Sequence, residues 1–387
     1  MKTLLGILSL ISFSAIAQKI QVSVKNDLHF DRTEIVSVPV AKLTKILKSG
    51  YANIHVTEKG KSGDLVVQWI DANLDGKPDE LLFRAEVSAK AKSDYTIFWD
   101  GSYLSEAKSE STTFSRFVPE RTDDYTWEND KVAFRTYGPD AQQRTEQKRE
   151  NGTLSSGIDI WLKRTSEPII DKWYAGYKTD PMFYHKDRGE GYDPYHVGAS
   201  RGTGGTGIWK NDSLYVSKNF VGWKTIAKGP LRTIFELTYA PYFEFGVVET
   251  KRVSLDLGSN FTKFEIGLKT KAQLRDYAIG ITLHKNEGEP KIDKGKGIFR
   301  HYEKIDDAFV GEGIIVDAKI VTDAFAHKSK TPDQSNLIVT TNAQSKLTYY
   351  AGFAWTKSGQ ISNVEDWDKM LEKQAQMIVK PLQVTIK

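Results

Sequence analysis

LRTIFELTYAPYFEFGVVETKRVSLDLGSNFTKFEIGLKT, residues 231–270, contains three long alternating runs, Leu231 to Tyr239, Gly246 to Asp256 and Thr262 to Thr270, each bounded by turn residues. A period of two turns one side of a strand to a core and the other to solvent, so this stretch predicts antiparallel sheet. Similar runs surround it at Lys131 to Tyr137, Gly157 to Arg164, Tyr277 to His284, Gly297 to Tyr302, Gly313 to Val321, Asn336 to Thr341 and Leu347 to Phe353. Shorter ones precede it, at Gln21 to Val24, Glu34 to Val40, Asp64 to Ile70, Glu80 to Val87 and Tyr95 to Trp99. The fold class is therefore all-β. A small β-sandwich is expected over 18–110 and a larger antiparallel assembly over 115–387, separated by the Ser/Glu/Thr-rich linker Tyr103 to Thr113. One helix is predicted near the C-terminus. Ser362-Asn363-Val364-Glu365 matches a capping box, Val364, Trp367, Leu371 and Ile378 share a face, and Pro381 stops it.

The N-terminus predicts export. Lys2 precedes an apolar run from Leu4 to Ile16 that ends in Ala15-Ile16-Ala17, a small-x-small cleavage signal, which makes residues 1–17 a signal peptide and Gln18 the mature N-terminus. The run is shorter than the roughly 20 residues that span a bilayer, so no membrane anchor is expected and the periplasm is the expected location. With no cysteine, an exported chain has no disulfide staple and must hold together through its core. The 54 basic and 50 acidic residues, net +4, are mixed along the chain. That excludes the clustered basic face of a nucleic-acid binder. A mild cationic bias still suits an anionic small substrate.

Two segments carry candidate chemistry. Asp71, Asn73, Asp75 and Asp79 place oxygen ligands at positions 1, 3, 5 and 9 around Gly76, a spacing suited to calcium; Leu82 stands where an EF-hand needs glutamate, so any ion there is structural. The alternative is a plain Asp/Asn/Gly turn. Gly176 to Gly207 is irregular yet rich in aromatic and charged residues, which reads as a binding or catalytic loop. The glycines from Gly202 to Gly207 read as tight turns beside that site. Among the seven histidines no His-x-x-x-His or His-x-His pair points to zinc, so a zinc hydrolase is not expected. His29, His55 and His327 read as surface residues, His284 and His301 as structural, and His185 and His196 as candidates within the loop. No Gly-x-Ser-x-Gly elbow is present, and without cysteine a thiol nucleophile is impossible.

Several motifs then point to a known family: Pro119-Glu120-Arg121, Trp127-Glu128-Asn129-Asp130, Phe134-Arg135-Thr136-Tyr137-Gly138-Pro139, Ser156-Gly157-Ile158-Asp159-Ile160-Trp161, Asp171-Lys172-Trp173-Tyr174, and the run from Tyr184 to Tyr195. Through them, and over nearly the whole mature chain, the sequence resembles the DUF4861 family of Bacteroidetes polysaccharide-utilisation clusters. The resemblance implies an oligosaccharide dehydratase of ulvan breakdown, which removes water from a non-reducing-end glucuronate or iduronate and leaves a 4,5-unsaturated uronate. It also implies that the larger domain is a galactose-mutarotase-like supersandwich. The expected partner is an anionic uronate oligosaccharide, with no catalytic cofactor, no nucleic acid and no membrane.

Elimination across C4 and C5 requires a cation or neutral donor for the carboxylate, a base for the C5 proton and an acid for the departing hydroxyl. Arg135 and Arg201 are the candidates for the first, His185 for the second, and Tyr195 or His196 for the third. Tyr184, Asp187, Arg188, Glu190 and Tyr192 complete the expected substrate contacts. Two other readings stay open. A polysaccharide lyase uses the same groups with a glycosidic oxygen leaving, and a non-catalytic carbohydrate-binding protein uses the loop aromatics as platforms.

Overall fold

The computed structural model describes residues 18–47, 50–101, 107–331 and 333–387. The expected signal peptide, residues 1–17, lies outside them, as does part of the expected linker, residues 103–106. Residues 107–113 of that linker are irregular, and Thr113 donates its amide to Pro230 O at 2.9 Å.

The N-terminal unit is a sandwich of two antiparallel sheets. One has the order Gln383–Ile386, Lys19–Lys25, Lys92–Trp99, Ile54–Glu58; the other has Arg32–Pro39, Glu80–Val87, Val67–Ile70. Their alternating apolar positions meet in one core, where Val22, Val24, Val36, Val38, Leu81, Phe83, Tyr95 and Ile97 are buried. Burial of each such side chain stabilises by about 1.5–3 kcal/mol. One strand corrects the expected boundary. Gln383–Ile386 returns from the far end of the chain to pair with Lys19–Lys25, so the second unit does not run to residue 387.

The second unit has two layers. An eight-stranded antiparallel sheet runs in the order Phe220–Ala227, Arg232–Tyr239, Val248–Asp256, Phe261–Lys269, Lys346–Trp355, Ala308–Val316, Ile298–Ile305, Glu289–Asp293. Facing it are two five-stranded sheets. One contains Gly191–Tyr192, Asp159–Lys163, Ala133–Thr136, Asp124–Glu128 and Phe114–Val118; the other contains Ser213–Tyr215, Thr203–Lys210, Tyr277–Thr282, Asn336–Thr341 and Val321–His327. A parallel bridge from Ile158 to Gly202 joins these two into a single layer. Residues from all three sheets form one core, among them Trp127, Phe134, Ile160, Ile279, Val339, Phe264, Val310 and Tyr349, so the unit is a supersandwich. The two units dock where Ile70 and Leu82 meet Leu231 and Ile234. There the Gln68 side chain accepts from the amides of Leu231 and Arg232 and donates to Arg232 O, each at 2.8 Å.

The predicted helix spans Val364–Val379, capped by Asn363 rather than Ser362: the Asn363 side chain accepts from Asp366 N at 2.9 Å. Its Trp367 and Leu371 cover the outer side of the eight-stranded sheet at Gly311 and Gly313, where a Cβ would lie 2.4 Å and 2.5 Å from those side chains. Two short helices, Pro139–Glu146 and Ile170–Tyr177, were not predicted. Among the described residues no helix is long and apolar enough to cross a membrane.

Candidate functional site

The strands Asp124–Glu128, Ala133–Thr136 and Asp159–Lys163 are buried at every position. Their alternate residues Tyr125, Trp127, Phe134, Ile160 and Leu162 enter the main core. Asp124, Glu128, Arg135, Asp159, Trp161 and Lys163 alternate with them and face outward, where Ile170–Tyr177 and the aromatic loop form a roof with Trp173, Tyr174 and Tyr184 against Trp161. Charged residues at the outward positions are thereby sealed from water. Arg135 sits opposite Asp159 in the ladder and donates to Asp159 Oδ2 and Asp193 Oδ2, both at 2.8 Å, and to the Tyr184 hydroxyl at 3.3 Å. Asp124 lies 3.8 Å from Arg135 and accepts from the Tyr174 hydroxyl at 3.0 Å. Burial raises the Asp124 carboxyl to about 6 even though Arg135 and Arg121 oppose the shift. Burial, together with the charge of Asp159, also pushes Asp193 well above the usual carboxylate range.

A second buried cluster lies on the inner side of the eight-stranded sheet. In Ile298–Ile305, His301 and Glu303 follow Phe299 at alternate inward positions; in Ala308–Val316, Glu312 lies between the inward Val310 and Ile314 and directly opposite His301. His284 joins them from the end of Tyr277–Thr282 in the facing layer. His284 Nδ1 is 2.6 Å from Glu303 Oε1, and His301 Nδ1 is 3.4 Å from Glu312 Oε2. Thr203 donates to Glu312 Oε1 at 2.5 Å and Tyr195 donates to Glu303 Oε1 at 2.8 Å, while the Tyr195 ring stacks on His284 at 4.2 Å between centroids. One ligand atom from each of His284, His301, Glu303 and Glu312 falls within 4.8 Å of all the others, so these four residues could hold a metal ion.

The loop segment from Gly191 to Tyr195 connects the two clusters, contributing Asp193 to the first and Tyr195 to the second. His185 stands at the edge of the first, partly exposed, with Nδ1 2.9 Å from Asp193 O; burial lowers its pKa below the ordinary imidazole value.

Several expected roles are corrected. Arg135 is locked among its own aspartates and Arg201 is sealed inside, bonded to Ser156 Oγ, Thr206 O and Ala199 O, so neither reaches a substrate carboxylate in this structure. Burial drops Arg201 to about 10. Tyr184 is buried against Trp161 and Tyr177 and offers no face to a sugar. His196 is 83% exposed beside Asp333 at 3.6 Å, outside both clusters. The remaining loop residues brace the loop itself: Asp187 accepts from Gly189 N and Gly191 N, Arg188 pairs with Asp180, Glu190 with Lys172, and Tyr192 with Asp306.

The glycines from Gly202 onward belong largely to the strand Thr203–Lys210 rather than to tight turns. His55, read as a surface residue, is buried with Nδ1 2.8 Å from Asp64 Oδ2. In the Asp71 to Asp79 turn, Asp71, Asn73, Asp75 and Asp79 each accept at least one backbone N–H.

Sequence reasoning missed the roles of His284, His301, Glu303 and Glu312 because they lie on three separate segments. The available signal was His301-x-Glu303, two polar residues at the inward positions of a strand. A cavity of about 740 Å³ lies elsewhere, between the N-terminal unit, the eight-stranded sheet and Val364–Val379. Its mixed cations and carboxylates, such as Arg232 with Asp256 and Lys263 with Glu265, give it no charge preference.

The family described as DUF4861, a domain of unknown function, matches residues 24–384, and the chain belongs to it. "Uncharacterized protein P7" of Formosa agariphila is 40% identical over 372 residues, covering 94% of this chain and 93% of that one. Among solved structures, a glycosyl hydrolase family 38 protein from Enterococcus faecalis superposes with a TM-score of 0.54, and an α-mannosidase from Enterococcus faecalis V583 with 0.53. Both are 10% identical, and each match covers 95% of this chain. The chain spans about half the length of those two proteins, 47% and 46%, and the likeness is one of fold.

Proposed function

We propose that this member of the DUF4861 family removes water across C4 and C5 of a non-reducing-end glucuronate or iduronate in ulvan oligosaccharides, leaving a 4,5-unsaturated uronate. The observation that carries the reading is Tyr195, whose hydroxyl donates to Glu303 while its ring stacks on His284. A hydroxyl, a carboxylate and an imidazole thus share one half-buried corner, the set needed to pass a proton to a poor leaving group. In the reaction the C5–H and C4–O bonds break, the C4–C5 double bond forms, and proton and hydroxyl leave as water. Tyr195 protonates the departing 4-hydroxyl. His185, ten residues back on the same loop and held neutral at neutral pH by burial, takes the C5 proton. The resemblance to ulvan-cluster proteins supports the substrate class. The pattern of residues 1–17 supports a periplasmic location.

Incubating the mature protein with ulvan oligosaccharides that end in saturated glucuronate, while following ultraviolet absorbance and product mass, tests the reading. Rising absorbance with loss of one water and intact chains is expected, whereas shorter chains would replace the dehydratase with a lyase. Absence of both changes would remove the catalytic reading. Tyr195→Phe should lower kcat by about 10²–10⁴-fold without unfolding the protein.

A further inference from the structure

We propose that His284, His301, Glu303 and Glu312 bind one divalent cation of the zinc class. The site stands on its own geometry and does not depend on the uronate reading.

Three of the four donors are fixed by strand register. His301 and Glu303, two residues apart, share the inner side of Ile298–Ile305, and Glu312 is the cross-strand partner of His301. His284 reaches across from the facing layer, its backbone held at φ 42°. Zinc ligands at about 2.0–2.1 Å stand about 3.4 Å apart in a tetrahedron. The observed spread, with all four ligand atoms within 4.8 Å of one another, therefore closes by small side-chain shifts. Two imidazoles and two carboxylates form a donor set that such an ion accepts.

Charge points the same way. Glu303 and Glu312 are buried, and among the described residues their salt-bridge partners are histidines, with no lysine or arginine. Two carboxylates sealed in a core without a fixed cation are costly. Two neutral imidazoles, two carboxylates and one divalent cation sum to zero.

The polar atoms are also left as ligands are. His284 Nδ1 is 2.6 Å from Glu303 Oε1 yet lacks the alignment of a hydrogen bond. His301 is fully buried, its Nε2 has no partner, and its Nδ1 makes only the 3.4 Å approach to Glu312. One ligand atom from each of the four residues lies within 4.8 Å of the other three. Around them Thr203 and Tyr195 each donate to one carboxylate, the support that orients metal-ligating carboxylates. Gly288 backs His301, where a Cβ would lie 2.1 Å from Nε2, so the imidazole keeps its place only against glycine.

The test is metal content. The mature chain, stripped with chelator, reloaded with zinc and desalted, should carry about one zinc per chain by mass spectrometry, and its melting temperature should rise with zinc concentration. His284→Gln, at a side chain 19% exposed and therefore tolerant of change, and Glu312→Gln should each cut the bound zinc at least tenfold while the far-ultraviolet spectrum stays that of the wild type. Wild-type protein that retains no zinc, or folded His284→Gln protein that retains all of it, would overturn the site. Should one variant fail to fold, the zinc-edge anomalous signal of wild-type crystals decides: a peak among these four residues supports the site, and its absence there refutes it. None of these readouts uses turnover, so the site can fail while the dehydratase reading stands, and the reverse.

Discussion

Two clusters of buried carboxylates lie in the second unit, and they are neutralised in different ways. Asp124, Asp159 and Asp193 surround the guanidinium of Arg135, whose fork reaches two of them directly and which stacks near Tyr137, Trp161 and Tyr184. Among the described residues, the ion-pair partners of Glu303 and Glu312 are imidazoles. A guanidinium is permanently charged and brings five donors in a rigid fork, so the first cluster carries its own fixed cation. An imidazole changes charge or takes a metal, so the second cluster has no permanent cation of its own. The contrast assigns the arginine cluster to architecture, and on the proposed readings the histidine–glutamate cluster carries the chemistry.

The largest test of that contrast is Arg135→Met, which leaves three sealed carboxylates without their cation. It should cost about 3–5 kcal/mol of stability, read by urea denaturation. A loss below about 1 kcal/mol would place both clusters on the same footing.

The next is Asp124→Asn. Burial raises the folded carboxyl to about 6 from an ordinary 3.8, so folding takes up a proton there. Its contribution is fully present below the unfolded pKa and is lost as pH rises through the folded one, a difference of about 3 kcal/mol. The variant should therefore gain on the wild type between about pH 4 and 6, measured as the difference in melting temperature across that window. A difference that stays flat with pH would mean Asp124 ionises freely.

The smallest is Thr203→Val, which keeps the side-chain shape but removes the donor to Glu312. Stability should fall by about 1–3 kcal/mol, and in the reloaded protein zinc affinity should fall with it. Loss of stability without loss of affinity would detach Thr203 from the metal site and weaken the contrast.

Much of the fold was legible in particular segments. Glu80–Val87 and Asn336–Thr341 coincide with their predicted runs, and Val364–Val379 follows its predicted cap and face within one residue. Asp124–Glu128 was not found because it is buried on both sides and shows no alternation. Thr203–Lys210 was not found because its glycines resemble turns. Those glycines serve burial instead: at Gly205 a Cβ would lie 2.5 Å from Arg201 O, and at Gly280 in the neighbouring strand 2.5 Å from Arg201 Cγ.

The candidate site divides along the same line. The aromatic loop and Tyr195 were visible because unusual composition in an irregular segment is a local property. The partners of Tyr195 were not, because Glu303 lies 108 positions away and meets it only across the two layers.

The alternation of 231–270, the capped C-terminal helix and the absence of cysteine are local properties, and from them the sequence by itself determined a β-rich, disulfide-free chain. Only the tertiary structure decided that Arg135 answers internal aspartates rather than a substrate, and that His284, His301, Glu303 and Glu312 stand together. The physical reason is that the energy of a charge depends on its burial and on its neighbours across sheets. Strand register and layer packing set both, and no short-range pattern along the chain encodes them.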